Sequence, residues 1–257
     1  MKYIYTLIFI PFSLISSAQF YINVGYSFSL PQQKMNENIR PLHSFAVAGM
    51  FKLPGTLDRV WLGADAGWGN YANTRKMQTF RFTSGATTET WVNYSSNVLQ
   101  GGLSARVQLL KNKTMIPYIS GKTGYTSFYS NIYVEDPHDI DGCHPLVQRN
   151  IIKDGTIYKG YGGGLMIDWV IFSKRSSTNT GWIDLSINSI RGGTLSYINT
   201  KKLIDANNPP VNSDGKPLNI TFINASTQQI HEHQVAEVYT SPLKMLEIKL
   251  SATFPLN

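Results

Sequence analysis

From Phe20 onward, apolar and polar residues alternate with a period of two, the pattern of β-strands whose two faces meet different surroundings. In the stretch FYINVGYSFSL, Phe20, Ile22, Val24, Tyr26, Phe28 and Leu30 share one side, and Tyr21, Asn23, Gly25, Ser27 and Ser29 share the other. Eight such segments are predicted, near residues 20–30, 43–53, 60–71, 91–110, 115–133, 156–172, 181–198 and 236–254. No stretch carries a helical period, so the fold class is all-β.

The connections alternate in length. LPGTLDR, KNKT and SKRSSTNT are short, whereas 31–42, 72–90, 135–155 and 199–235 are long. An even number of antiparallel strands with short turns at one rim and long loops at the other predicts an eight-stranded up-and-down transmembrane β-barrel, with periplasmic turns and extracellular loops. A soluble up-and-down barrel is the competing architecture. It would line its interior with apolar groups, whereas a membrane barrel turns them outward to lipid. Here the polar set carries charges and small residues: Gly63, Asp65 and Gly67 in one strand, Gly102, Ser104 and Arg106 in the next, then Ser120, Lys122 and Gly124. That set suits a polar lumen and favours the membrane barrel.

Seven charges, Asp65, Arg106, Lys122, Asp168, Asp184, Glu247 and Lys249, lie roughly three to seven residues from the periplasmic ends of their strands, or about 10–23 Å along them. They are expected to meet in one layer and neutralise each other, since burying any of them alone is costly. An eight-stranded interior is filled by side chains, so the lumen is expected to be plugged.

In YKGYGGGLMIDW, the glycines do not form a phosphate-binding loop, because alternation runs straight through them and no helix follows. Gly160, Gly162, Gly164 and Asp168 fall on the lumen face, where missing side chains leave room for neighbours. Outward aromatics are expected at both rims, Phe20, Phe51, Trp169 and Phe254 below and Trp68, Tyr125, Tyr129, Tyr161 and Tyr197 above, in the manner of membrane-interface belts. Arg191 falls on the nominal lipid face and requires either an outer-rim position or a bulge around RGG.

Composition adds the export route. MKYIYTLIFIPFSLISSAQ has one early Lys, a short apolar run and small residues before Gln19, which reads as a signal peptide over 1–18, leaving a barrel domain over 19–257. The net charge of +7 is spread along the chain without a dense basic helix, which argues against a nucleic-acid partner. The single cysteine, Cys143, forms no intrachain disulfide.

The SSAQ cleavage region, the first strand FYINVGYSFSL, the stretch GYGGGLMIDW and the last strand KMLEIKLSATF together resemble the small eight-stranded outer-membrane barrels of the OmpA/OmpX-like class, particularly the porin-like barrel proteins of Bacteroidota. The resemblance covers nearly the whole mature chain and implies an integral outer-membrane protein in contact with lipid.

Further chemistry is confined to loops and turns. EDPHDIDGCHP gathers His138, Asp141, Cys143 and His144, and HEH adds His231 and His233, which are ligand types suited to a transition metal although their spacing matches no closed site. His43 and Ser44 are adjacent on a strand and point to opposite faces, so they cannot pair as base and nucleophile. The periplasmic turns carry Lys52, Arg59, Lys111, Lys113, Lys174 and Arg175, either solvated near lipid headgroups or docking an acidic partner. The chain is read as a plugged barrel without enzymatic activity or cofactor, acting as a structural or accessory subunit of an outer-membrane complex. The alternatives are a surface adhesin or metal-binding receptor working through 135–155 and 199–235, and a lipid-modifying enzyme.

Overall fold

A computed structural model describes residues 19–81, 87–111, 114–135, 147–172, 181–201, 215–223 and 230–256. The expected signal peptide, 1–18, lies outside the described residues. Among the described residues there are nine strands: β1 (Gln19–Pro31), β2 (Leu42–Lys52), β3 (Val60–Arg81), β4 (Thr87–Gln108), β5 (Met115–Val134), β6 (Val147–Asp168), β7 (Trp182–Ile198), β8 (Lys216–Ile223) and β9 (Ile230–Leu256). β1 to β7 lie side by side in chain order, and β9 closes the sheet by pairing with both β7 and β1. These eight strands form a closed antiparallel up-and-down barrel. β8 pairs with the upper part of β9, on the side away from β7.

Following paired residues around the barrel from Tyr21 through Met50, Gly63, Ser104, Lys122, Gly160, Ile190 and Met245 returns to β1 at Pro31, ten residues higher. With a rise of about 3.3 Å per residue and strands about 4.8 Å apart, that stagger tilts the strands about 41° from the barrel axis, within the usual range.

β3, β6 and β9 are much longer than their alternation predicts. β3, β4 and β6 each have 22 residues, and β9 has 27. The reason is visible in β4, where Leu99, Leu103 and Val107 point outward but Val92, Tyr94 and Val98 point inward and are buried. Higher up, the apolar set moves from the outer face to the inner one. Segments 72–90, 135–155 and 199–235, expected as loops, are therefore partly strand. The inward residues flanking them, Val92, Tyr94, Ile132, Val134, Ile198 and Ala236, pack as one cluster, against which Ile151, Ile152 and Leu218 from these segments lie, and β8 is a ninth strand within the last of them.

Two smaller departures have local causes. The register of β7 slips between Arg191 and Thr194, which reverses its phase, so Tyr197 is fully buried and does not belong to the outer aromatic rim. The connection 31–42 contains a short helix, α1 (Lys34–Asn38), whose five residues are too few to leave a helical period. Met35 and the following Ile39 are fully buried in a cluster with Tyr71, Phe128, Leu195 and Leu243.

At the opposite end, Tyr21, Met50, Trp61, Ile116, Tyr118 and Met166 form another cluster, with the Tyr21 and Trp61 ring centroids 4.4 Å apart. Tyr118 lies over its cross-strand partner Gly164, where an added Cβ would lie 2.5 Å from its Oη. The expected lumen-facing position of Gly164 follows from that approach. Gly164→Ala should lower stability by about 1–3 kcal/mol through overpacking. Gly121→Ala, whose Cβ meets nothing closer than 4.0 Å, should leave it nearly unchanged, and urea unfolding of the two variants compares them.

Candidate functional site

The lumen charges meet across the barrel. Arg106 Nη1 on β4 donates to Asp184 Oδ2 on β7 at 2.5 Å, while Tyr118 Oη donates to Asp184 Oδ1 at 2.6 Å. Lys122 Nζ on β5 donates to both carboxylate oxygens of Glu247 on β9, at 2.7 and 2.9 Å. Neither pair joins neighbouring strands, so both span the interior. Lys249 Nζ donates to Asn23 Oδ1 at 2.8 Å, and Asn23 Nδ2 in turn donates to Ser251 Oγ and Thr253 Oγ1. A cavity of about 40 Å³ remains at this level, lined by Asp65, Arg106, Lys122, Glu247 and Lys249 among others. Asp65 Oδ1 is buried there without a hydrogen-bond partner among the described residues.

Six of the seven expected charges thus share one layer. Asp168 does not. β6 ends at Asp168, and Trp169–Phe172 form a 3-10 turn where the alternation predicts strand as far as 172. Asp168 therefore sits at the rim, where its Oδ1 accepts a hydrogen bond from the Val170 amide at 2.9 Å, and it lines a shallow depression with Lys52, Asp58, Lys111 and Trp182.

The same short-turn rim holds the basic turn residues that are described. Lys111 Nζ pairs with Asp58 Oδ1 at 2.6 Å, and this contact holds the Asp58 carboxyl below its ordinary value. Lys52 lines the depression and Arg59 is exposed. Lys113, Lys174 and Arg175 lie outside the described residues.

On the outer wall, Phe45, Val47, Leu99, Leu103, Ile119, Ile187 and Leu250 are exposed and form an apolar band. Phe20, Trp169 and Phe254 are exposed at its lower edge, and Trp68, Tyr125 and Tyr161 higher up. Trp68 Nε1 donates to Tyr129 Oη at 3.0 Å. Arg191 stays on this face because the slip in β7 comes after it, and its guanidinium stands 5.7 Å from the Tyr161 ring centroid.

Above the band the outer face becomes polar. Asn93, Ser95, Asn131, Tyr133, Gln148 and Asn150 line an open depression of about 380 Å³, and Asn131 Oδ1 is buried without a partner among the described residues. Sequence reasoning missed this face because its residues fell in or beside segments read as loops. At its edge, Asn93 Nδ2 donates to Glu135 Oε1 at 2.8 Å and Arg75 Nη2 to Glu135 Oε2 at 2.6 Å. The Asn93 hydrogen bond, followed by Arg75, holds the Glu135 carboxyl below its ordinary value.

The metal-ligand candidates His138, Asp141, Cys143 and His144 lie outside the described residues. His231 and His233 fall in strand β9, opposite Phe222 and Ile220 of β8, where the sequence predicts a loop. Among the described residues, no group of three His, Cys, Asp or Glu is placed to hold a metal ion. His43 is exposed and Ser44 is buried, on opposite faces of β2 as expected.

No protein-family model matches the sequence. No curated protein matches it either. Among solved structures, the chain is similar to Neisserial surface protein A, at 8% identity and a TM-score of 0.42 over 93% of this chain and 98% of that one. It is also similar to a major outer membrane protein from Thermus thermophilus, at 11% identity and a TM-score of 0.45 over 93% and 100%. A third is Ail, the attachment invasion locus protein of Yersinia pestis, in complex with the heparin analogue sucrose octasulfate, at 11% identity and a TM-score of 0.38 over 93% and 99%. The likeness is distant, and the barrel assignment rests on the strand pairing of this chain itself.

Arg106→Met alone should destabilise the barrel by about 3–5 kcal/mol, because it leaves Asp184 buried without its cation. Arg106→Met combined with Asp184→Leu should recover most of that loss in the same urea titration. At the upper edge the sign is set by the depressed Glu135 carboxyl. Its contribution is present above the unfolded value of about 4.3 and is lost as pH falls through the lower folded value. Hydrogen-exchange protection factors around Glu135 should therefore fall under acid, and Asn93→Leu should move that onset to higher pH.

Proposed function

We propose that the chain is an integral outer-membrane protein whose lumen is closed to solutes and which acts by what it holds, as a structural or accessory subunit of an outer-membrane assembly. The observation that carries this reading is the layered interior. A layer of crossed ion pairs lies between the Trp61–Met166 cluster below and the Phe128–Leu243 cluster above. The exposed apolar band outside supports the membrane setting, since a lipid-facing wall has that polarity.

Crossing a bilayer takes about 9–11 residues per strand. The 22 residues of β3, β4 and β6 leave enough strand to project well beyond it. That projection, with the polar depression beside Asn131, favours surface recognition as the second reading. Catalysis is not proposed, as His43 and Ser44 stand on opposite faces.

Planar-bilayer recording tests the main reading: the purified full chain should insert without steady ion currents of porin size, and sustained porin-like currents would contradict it. Chemical crosslinking in native membranes then addresses the accessory role. A discrete crosslinked species that requires Lys52, Arg59 and Lys111 is expected if the short-turn rim docks a partner.

A further inference from the structure

Lys159, Arg191 and Lys244 are direct cross-strand partners on β6, β7 and β9. All three stand on the outer face. Lys159 and Arg191 are exposed and Lys244 is half-buried. Like charges placed directly opposite one another destabilise a sheet, and here three stand in a row. Among the described residues no carboxylate pairs with any of them. Lys244 Nζ donates to the neutral Gln33 Oε1 at 2.6 Å, and Arg191 lies over Tyr161.

Its height is informative. Lys159 and Lys244 each stand ten residues above an exposed aromatic at the opposite rim, Trp169 and Phe254 respectively. Ten residues at about 3.3 Å, on strands tilted about 41°, rise about 25 Å, the height of the apolar band of a membrane barrel. Between those levels the same wall presents Leu165, Leu185, Leu250, Ile187 and Ile248. The three cations therefore stand where the apolar wall meets the headgroup layer at the long-loop rim.

A ligand that matches both features has an anionic head and an apolar body. An acidic protein would satisfy the cations but not the apolar wall below them. We propose that Lys159, Arg191 and Lys244 form a binding site for the phosphate of an anionic lipid, whose acyl chains lie along the apolar wall of β6, β7 and β9. The site rests on the membrane reading above.

The test uses the full chain reconstituted in phosphatidylcholine vesicles, comparing spin-labelled phosphatidic acid with spin-labelled phosphatidylcholine for motional restriction by the protein. Wild type should prefer phosphatidic acid. Lys159→Gln, Arg191→Gln and Lys244→Gln should together abolish that preference, with a loss on the order of fivefold per cation removed. Lys159→Arg should keep it, and heat-modifiable gel mobility should show that each variant is folded. An unchanged preference in the folded triple variant overturns the site alone. Abolition of the wild-type preference by millimolar inorganic phosphate overturns the lipid in favour of a free anion. Failure of wild type to insert in the neutral vesicles overturns the membrane reading and the site with it.

Discussion

Eight strands staggered by ten residues enclose a space so narrow that a side chain from one wall reaches the opposite wall. Most of the molecule follows from that width. Arg106 can meet Asp184, and Lys122 can meet Glu247, only because β4 faces β7 and β5 faces β9 across a short gap. Removing those groups from water would cost several kcal/mol per ion, so each must arrive with its partner and with further donors such as Tyr118 and Asn188. Gly164 answers to its neighbours: with its cross-strand partner Tyr118 lying over it, no Cβ fits there.

The exchange of apolar residues between faces along the longer strands, as in β4 and β5, gives the molecule two distinct halves. Near the short turns it is apolar outside and polar within at the level of the charge layer. Beyond the upper rim it is polar outside and apolar within, like a soluble barrel. A strand that changes surroundings partway must change pattern at that point, and β4 does so without a bulge, between Leu99 and Val98. The upper half therefore displays Asn93, Ser95 and Asn131 to solvent while Tyr94 and Ile132 pack inside.

That exchange also governs how much is legible in the sequence. Alternation locates all eight barrel strands and the charge layer, because within the lower half each strand keeps one phase. It fails beyond the phase change: the outward Gln148 and Asn150 lie in a segment read as loop, and β8 is lost in another. Counting places Tyr197 outside because the slip after Arg191 is invisible to it. It places Asp168 too deep because WVIF continues the apolar character of β6 while its backbone turns away. Arg191 stands out as an anomaly in the sequence, but its significance requires the register, which sets it between Lys159 and Lys244.

The central claim is that the apolar outer band faces lipid and that the pattern exchange marks where the wall leaves it. Single spin labels along β4, introduced as cysteines at Leu99, Leu103 and Asn93 in a Cys143→Ser background and measured in lipid nanodiscs, address it most directly. Labels at 99 and 103 should be relaxed by oxygen and shielded from a water-soluble nickel complex, and the label at 93 should show the reverse. Equal exposure of all three to the water-soluble complex would contradict the account.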